Sequence, residues 1–464
     1  MSRDAAIAHV ERYFDTGAFK TDLARRVAIP TASQEKERAG DLVRYVEDEL
    51  KPSLTSLGFA CRVLTHAKAR GPFLYAERIE DRARPTVLGY GHGDVIRGLD
   101  AAWHPGLKPW ELTETNGRYY GRGVADNKGQ HTINLAAQAA VIATRGKLGF
   151  NAKWLIETGE EVGSPGLREL CAEQRSLLDA DVLIGSDGPR ISANRPTIYL
   201  GTRGGMNIDL WIDAREGGHH SGNWGGLLSN PAIQLAHALA TIAGPTGQVR
   251  IPDWVPKEIP ASVRRALADC EIAPGPDEPV VDPGWGEPGL TLPEKVFAWC
   301  SFEILAMTAG NPDNPVNAVP PRAWARVQLR FVVGIKVDEL LPALRRHLDR
   351  HGFPMVQIAQ ARDEVFRATR VDPEHPWVQW AAASIARTTG AKPAVLPNTG
   401  GSLPNDIFAD SLGLTTIWVP HSYLGCSQHA PNEHLPVGLL REGLRVMAGL
   451  YWDLGEAGTP GRMG

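Results

Sequence analysis

The stretch Trp154-Leu-Ile-Glu-Thr-Gly-Glu-Glu-Val-Gly-Ser164 joins a short apolar run to two adjacent glutamates. Residues 154–156 are typical of a buried β-strand. Glu160 and Glu161 follow it between two glycines, and neighbouring carboxylates at the end of a buried strand repel each other and are costly to desolvate. A bound metal ion would remove this conflict, with one carboxylate as its ligand and the other free to transfer protons. The alternative interpretation of this stretch alone is a solvated turn.

Three further segments place polar residues after apolar runs or at glycine-rich turns. In Pro85-Thr-Val-Leu-Gly-Tyr-Gly-His-Gly-Asp94, His92 and Asp94 lie two residues apart, and a carboxylate commonly orients a metal-bound imidazole. In Gly121-Arg-Gly-Val-Ala-Asp-Asn-Lys-Gly129, Asp126 is either a helix N-cap or a carboxylate that bridges two metals. This turn fits neither nucleotide-binding loop pattern. Asp187 follows the apolar run at residues 182–184.

These strand-like runs alternate with helical segments, which predicts an α/β fold with a mostly parallel sheet and helices on both faces. In such sheets ligands bind beyond the carboxyl ends of the strands. The residues that we expect to meet at this edge are His92, Asp126, Glu160, Glu161 and Asp187. Their convergence favours one metal site over five unrelated surface turns.

From about residue 204 the pattern changes to that of a sheet with one wet face. Residues 206–213 and 324–332 alternate apolar and polar, and a helical pattern follows each. This predicts a smaller α+β domain at 204–368, inserted between two parts of the larger domain at 1–203 and 369–464. Residues 244–297 are rich in proline, glycine and acidic residues, and we expect an extended insertion with little regular structure.

The composition excludes several classes of protein. The chain of 464 residues has a net charge of −4 and no cluster of basic and aromatic residues, which argues against a nucleic-acid partner. No apolar run approaches the length of a membrane span, and the N-terminus lacks the features of a signal peptide. The five cysteines contain no C-x-x-C pair, which indicates reduced thiols in a cytoplasmic protein. Histidines and carboxylates must therefore hold any metal.

Two segments near the C-terminus complete the set of candidates. Residues 398–405 form a glycine turn before a short helix, a typical backbone pocket for an anion. Ser402 lies in this turn, but the G-x-S-x-G pattern of a serine hydrolase is absent. The segment 422–434 carries His429, Glu433 and His434, and the residues alone do not decide which histidine is a ligand.

Five blocks in this order, GHGDV, GRGVADNKG, ETGEEVGS, GSD and HAPNE, resemble the co-catalytic zinc peptidase family called metallopeptidase family twenty. This family includes dipeptidases and carnosinases, glutamate carboxypeptidases, aminoacylases and related deacylases. The resemblance covers nearly the whole chain and includes the inserted domain, which it implies to be a lid and dimerisation domain.

The resemblance implies a role for each matching residue. Asp126 would bridge two zinc ions and have a cis peptide bond to Asn127, and Glu160 would be the general base. Asp94 would orient the ring of His92. The remaining implied metal ligands are His92 and Asp187 at the first ion, Glu161 at the second, and His429 rather than His434 from the closing block.

The resemblance also extends to the lid. His220 in HSGNWGG would reach an active site, in dimeric members that of the partner subunit. Asn317 and Arg330 would bind the carbonyl and carboxylate of the substrate, and Gly400, Gly401 and Ser402 would form the pocket for its terminus. One position departs from the carnosinase-like pattern, because Thr399 stands where those members carry an acidic residue.

The implied function is hydrolysis of the amide bond of dipeptides or short peptides by a homodimer. Each subunit would hold two divalent metal ions, with zinc as the expected metal and manganese or cobalt as alternatives. The alternative function is a deacylase or amidase acting on N-acyl or modified amino acids. A third interpretation, a metal-binding scaffold without catalysis, is disfavoured by the complete set of ligands and the intact base.

Overall fold

The computed structural model describes residues 2–272, 275, 278–361 and 365–461. In chain order its strands are β1 (Ala60–Leu64), β2 (Phe73–Arg78), β3 (Thr86–His92), β4 (Thr113–Thr115), β5 (Arg118–Tyr120), β6 (Asn151–Glu157), β7 (Val182–Gly185), β8 (Pro189–Arg190), β9 (Thr197–Tyr199), β10 (Gly204–Asp213), β11 (His219–His220), β12 (Ser301–Ala309), β13 (Ala318–Val319), β14 (Arg322–Phe331), β15 (Gln357–Gln360), β16 (Ala394–Leu396), β17 (Thr415–Trp418), β18 (Ser422–Tyr423) and β19 (His434–Pro436).

The helices are α1 (Arg3–Asp15), α2 (Ala18–Val27), α3 (Ala39–Arg44), α4 (Lys51–Ser56), α5 (Lys128–Arg145), α6 (Leu167–Glu173), α7 (Arg175–Leu178), α8 (Ser221–Trp224), α9 (Pro231–Ile242), α10 (Ala261–Leu267), α11 (Leu292–Phe297), α12 (Leu340–Arg350), α13 (Pro376–Thr389) and α14 (Val437–Leu454). Residues Tyr45–Leu50 and Ile407–Ser411 are π-helical, and short 3₁₀ turns cover Lys36–Arg38, Asp100–Ala102, Glu160–Val162, Pro252–Trp254 and Val337–Glu339.

The larger sheet contains eight strands in the order β1-β2-β6-β3-β7-β17-β9-β16. Its central neighbours β6, β3, β7 and β17 pair in parallel, and antiparallel pairing appears toward the sides. Successive residues of β6 alternate between two hydrophobic clusters, with Trp154 and Ile156 in one and Leu155 in the other. Because neighbouring side chains of a strand point to opposite faces, both faces of this sheet are covered.

Helices from both ends of the chain pack on the first face. The buried residues of α1, α2, α5, α13 and α14 share one cluster with Trp154. The second face packs against α6, α10 and the π-helical turn at 407–411. The expected α/β fold with a mostly parallel central sheet is confirmed.

The second sheet has four antiparallel strands in the order β12-β14-β10-β15. Its apolar face packs on α9 and α12. The other face carries polar side chains such as Asp209, Arg326 and Arg330, as the alternating pattern predicted. The sequence pattern identified β10 and β14 but missed β12 and β15.

The insertion at 244–297 has more regular structure than expected in its described part. It contains α10 and α11, and α11 begins with a capping box in which Thr291 and Glu294 exchange hydrogen bonds. The Thr-x-x-Glu pattern of Thr291 and Glu294 is a sequence signature of a helix N-terminus. Elsewhere, the five cysteines are unpaired, and no helix in the described ranges is long and apolar enough to cross a membrane.

Candidate metal centre

The carboxyl ends of three neighbouring strands bring the predicted residues together. Strand β3 lies between β6 and β7 and ends at His92. The turn after β6 carries Glu160 and Glu161, and the residue Asp187 lies just beyond β7. Since these strands run in parallel, their following loops meet at one edge of the sheet.

One cluster at this edge consists of His92, Asp126 and Asp187. The Nε2 atom of His92 lies 2.9 Å from Oδ1 of Asp126 and 3.4 Å from Oδ2 of Asp187. All three residues are buried, and one potential ligand atom from each lies within 4.8 Å of the others. This is a compact set of nitrogen and oxygen donors.

A second cluster shares Asp126 and adds Glu161 and His429. The Nε2 atom of His429 lies 2.9 Å from Oδ2 of Asp126 and 3.1 Å from Oε2 of Glu161. His434 lies elsewhere, with its Nε2 2.8 Å from the hydroxyl of Tyr423. Asp126 therefore offers one carboxylate oxygen to each cluster.

The donor set fits divalent cations. Histidine nitrogens and carboxylate oxygens surround the centre without any thiolate, and Oδ2 of Asp187 is buried without a hydrogen-bond partner. Burial raises the pKa of Glu161 to about 7, and Asp126 contributes to this rise. Cations would compensate this excess of carboxylates, so the centre is a candidate site for divalent metal ions.

The pKa values of the two imidazoles reflect the same excess of negative charge. Burial alone would lower the pKa of His92, but contacts with Asp126, Asp187 and Asp94 raise it well above its ordinary value. Hydrogen bonds to Asp126 and Glu161 raise the pKa of His429 to about 11. Both rings lie where positive charge is strongly favoured.

Asp94 supports the centre differently from the simplest expectation. The Nδ1 atom of His92 lies 3.0 Å from the main-chain oxygen of Asp94 and 3.5 Å from its carboxylate. That carboxylate accepts hydrogen bonds from the backbone N–H groups of Glu160 and Glu161, both at 3.1 Å, and from Ser33 Oγ at 2.6 Å. Asp94 thus fixes the turn that carries both glutamates.

Glu433 is a supporting residue whose role the sequence reasoning did not assign, although it lies in the HAPNE block. Its buried carboxylate accepts hydrogen bonds from the backbone N–H groups of Gly123, Ala125 and Asp126, at 2.8–3.1 Å. The guanidinium of Arg122 donates to it at 2.8 Å. Glu433 therefore holds the loop that presents Asp126. The peptide bond from Asp126 to Asn127 is cis, as the resemblance implied.

The closing loop that carries His429 has an unusual backbone. Ser427, His429 and Asn432 have φ angles of 57°, 59° and 64°, in the left-handed region that non-glycine residues rarely adopt. Such conformations persist where surrounding contacts enforce them, and they concentrate at functional sites. Here the Gln428 side chain donates to Oδ2 of Asp126 at 2.6 Å, beside the His429 contact.

A cavity of about 520 Å³ opens beside the metal centre. Asp126, Glu160, Asp187 and His429 line one end, and Thr399, Gly400, Gly401, Ser402 and Arg330 line another part. A guanidinium nitrogen of Arg330 donates to Ser402 Oγ at 2.7 Å.

A second guanidinium stands beside Arg330. Arg203 donates to the main-chain oxygen of Gly400 at 2.9 Å, and burial together with Arg330 lowers the pKa of Arg203 to about 10. No motif singled out Arg203 in the sequence. This end of the cavity is positively charged and suits an anion.

Two predicted residues are not brought to the cavity. His220 and Asn317 lie in or beside the short pair of β11 and β13, and both are exposed. The N–H group of Ser221 donates to the main-chain oxygen of Asn317 at 2.8 Å. Neither residue lines the cavity of this chain.

The fold and this centre define an α/β protein with two candidate metal-binding clusters that share one carboxylate. The sequence profile of Peptidase family M20/M25/M40 matches residues 88–453. The chain therefore belongs to this peptidase family, and the family resemblance is confirmed.

Similar proteins span most of the chain. The Beta-Ala-His dipeptidase of Mus musculus is 34% identical over 408 residues, which cover 83% of this chain and 80% of that protein. The Cysteinylglycine-S-conjugate dipeptidase of Corynebacterium striatum is 27% identical over 332 residues, or 69% of this chain and 70% of that protein. Among solved structures, the di-peptidase Dug1p of Saccharomyces cerevisiae has a TM-score of 0.78 at 19% identity, and covers 98% of this chain and 99% of its own. Human carnosine dipeptidase 1 has a TM-score of 0.73 at 21% identity, with 98% and 100% covered. These solved structures share the fold.

Proposed function

We propose that this protein is a metal-dependent hydrolase that cleaves the amide bond of dipeptides or short peptides. The observation that carries the proposal is the pair of clusters joined by Asp126, one buried and one that reaches the surface at His429, beside a cavity that Arg330 also lines. The dipeptidase names of the similar proteins support the same reaction class.

We assign the two metal positions to the two clusters. His92, Asp126 and Asp187 would hold one ion, and Asp126, Glu161 and His429 would hold the other. Zinc is our first choice because it favours histidine and carboxylate ligands, and manganese or cobalt is the alternative. When bound, such a pair lowers the pKa of a water molecule and polarises the carbonyl of the substrate.

Glu160 would act as the general base. Its carboxyl group lines the cavity but belongs to neither cluster, so it is available for proton transfer. Burial raises the pKa of Glu160 well above its ordinary value, and nearby carboxylates add to the rise. Glu160 would take a proton from the attacking water and pass it to the leaving nitrogen.

The carboxylate of the substrate would bind at the positive end of the cavity. Arg330 can form a bidentate pair with a carboxylate, and its hydrogen bond to Ser402 fixes one side of its guanidinium. Gly400 and Gly401 leave the backbone of this loop accessible to the terminus of the substrate.

We further propose that residues 204–368 form a lid and dimerisation domain, with parts of a catalytic domain at 1–203 and 369–464. In a homodimer, His220 and Asn317 would reach the cavity of the partner subunit, where His220 would donate to the developing oxyanion. Strand β12 supports this arrangement because it is an edge strand with the exposed side chains of Ile304, Leu305 and Met307. An exposed apolar edge of this kind favours pairing with another chain.

A deacylase or amidase acting on N-acyl amino acids is the second candidate. Thr399 lines the cavity next to Gly400, and its neutral side chain offers no charge partner for a free amino terminus. The unpaired cysteines favour a reducing compartment, so we propose a cytoplasmic location.

One experiment tests the reaction and separates the two candidates. The protein is stripped with a chelator, reloaded with zinc or manganese, and incubated with free dipeptides, dipeptide amides, tripeptides and N-acyl amino acids, with products identified by mass spectrometry. We expect metal-dependent cleavage of free dipeptides. Cleavage of N-acyl substrates alone would transfer the assignment to the deacylase. Two bound metals without cleavage of any substrate would contradict both.

A further inference from the structure

We propose that the substrate residue bearing the free carboxylate carries a large apolar side chain, and that the insertion at 244–297 helps to select it. This inference rests on the proposed function and specifies its substrate class. The receiving surface, which we call the apolar wall, consists of Ile191, Ile272, Val296, Phe297, Leu396 and Leu403, all of which line the cavity. Three of the six come from the insertion.

Two of the polar side chains that line the cavity, Arg190 and Gln428, already have partners within the chain. Arg190 forms an ion pair with Glu442 and donates to the main-chain oxygen of Pro420 at 3.1 Å. Gln428 donates to Asp126. A substrate side chain against the wall therefore meets mainly apolar atoms, and a charged side chain there loses its hydration without gaining a partner.

The wall is preformed. Phe297, Leu396 and Leu403 are less than 10% exposed and belong to the hydrophobic cluster on the second face of the large sheet, with Tyr90 and Trp418. Closely packed clusters of this kind resist deformation, so the shape of the cavity is set before substrate binds. Leu424 is 57% exposed and lines the same cavity, which places a further apolar surface where solvent reaches it.

The wall adjoins the positive end of the cavity. A Cβ atom built on Gly400 would lie 3.2 Å from a methyl group of Val296, so α11 packs directly against the loop that carries Gly400 and Ser402. Ser402 in turn accepts from Arg330. A carboxylate bound at Arg330 therefore places the side chain of its own residue close to Val296.

The two helices of the insertion, α10 and α11, are anchored to each other and to the large sheet. The capping box fixes the start of α11, and Arg264 of α10 forms an ion pair with Glu294 of α11. Phe297 and Val263 contribute to the same hydrophobic cluster. These contacts connect both short helices to the large domain.

The first test measures kcat/KM of the metal-loaded enzyme for two series of substrates, Ala-X and N-acetyl-X, with X as glycine, alanine, leucine, phenylalanine, aspartate or lysine. We expect leucine and phenylalanine to exceed glycine by about 100-fold in whichever series is cleaved, because even a single methylene in an apolar pocket changes kcat/KM by about 10- to 200-fold. Aspartate and lysine should rank no higher than glycine. A flat profile, or a preference for a charged X, would overturn the inference.

The second test changes the wall. In Val296→Asn the ratio of kcat/KM for X as leucine to that for X as glycine should fall about 10-fold, because a polar group replaces a methyl surface. The matched control is Val280→Asn, which changes a residue of the same insertion that is 91% exposed and does not line this cavity. This control should keep the wild-type ratio. An unchanged ratio in Val296→Asn would contradict the assignment. Because both substrates are measured on the same protein sample, partial misfolding lowers both values of kcat/KM equally and leaves their ratio unchanged.

Calorimetric binding of free leucine, phenylalanine and aspartate to the metal-loaded protein separates this inference from the reaction itself. We expect leucine and phenylalanine to bind more tightly than aspartate, with the preference reduced in Val296→Asn. If no amide is cleaved but this preference holds, the proposed function fails while the apolar wall stands. Cleavage combined with equal binding of the three amino acids would leave the reaction intact and overturn the wall.

Discussion

The metal centre and the segment that carries His220 differ in how much of their geometry one chain supplies. At the centre, His92, Asp126 and Asp187 are buried, and the His92 ring lies within ion-pair distance of both carboxylates. His220 and Asn317 are exposed and outside the cavity. Metal binding can therefore be a property of the single chain, whereas any contribution of His220 needs movement of the segment that carries it or a second copy of the chain.

The largest effect is expected where both clusters depend on one residue. Asp126→Asn replaces a carboxylate that faces both histidines with a neutral amide, so we expect loss of both metal ions and of measurable activity. Asp187→Asn, which alters one cluster, should lose one ion. Elemental analysis by mass spectrometry after desalting gives both metal contents. Two ions retained in Asp126→Asn would show that the clusters do not share a ligand.

The next effect separates chemistry from metal binding within the centre. Glu160→Gln should lower kcat by about 100- to 10,000-fold, the usual contribution of a general base, while both metal ions remain. Glu161→Gln is the matched control on the adjacent residue and should lose metal. Equal loss of metal in the two variants would mean that the roles of the glutamates are wrongly assigned.

A smaller effect is expected at the exposed segment. His220→Ala should lower kcat by about 100- to 1,000-fold, as removal of one oxyanion donor does, with metal content and melting temperature unchanged. The control His219→Ala should keep the wild-type kcat. Unchanged kcat in His220→Ala would remove this residue from the mechanism.

Mixing two inactive variants tests whether His220 acts across a dimer. If subunits of His220→Ala and Glu160→Gln exchange, half of the dimers are mixed and each contains one complete site, so about a quarter of the wild-type activity should return. If His220 acts within its own chain, mixing restores no activity.

The smallest effect is expected one contact away from the ligands. Ser33→Ala removes the hydrogen bond to the carboxylate of Asp94, and the free energy of unfolding should fall by about 1.5–3 kcal/mol. The control Ser56→Ala removes an exposed hydrogen bond to the backbone of Ser53 and should change the free energy of unfolding by less than about 0.5 kcal/mol. Urea unfolding measures both. Equal changes in the two variants would show that Asp94 does not depend on Ser33.

The features of the structure that could be predicted from the sequence come from neighbouring residues or from patterns that repeat along a strand. Apolar runs followed by His92, Glu160 or Asp187 predicted the parallel strands and the edge where their ends meet. The alternating pattern around Arg330 predicted the second sheet and its polar face. Both follow from the fixed spacing of side chains along a strand.

Other features depend on contacts between distant parts of the chain. The residues alone left His429 and His434 equivalent, since both lie in one short polar segment of the sequence. Only the folded chain brings His429 to Asp126 and His434, at the start of β19, to Tyr423. The supporting role of Glu433 depends on the backbone N–H groups of Gly123, Ala125 and Asp126, which lie far earlier in the chain. The contribution of the insertion to the cavity wall depends on where Val296 packs, which no sequence spacing encodes.

By itself the sequence determined the fold class, the family and a short set of candidate ligands, because periodicity and ordered motifs are properties of neighbouring residues. The tertiary structure decided which oxygen of Asp126 faces which histidine, that Asp94 holds the glutamate turn, and that the insertion contributes residues to the apolar wall. These features arise from side chains and backbone groups that are distant in sequence and come into contact only in the folded chain. The distances between these groups determine the electrostatics of the site and the shape of its cavity.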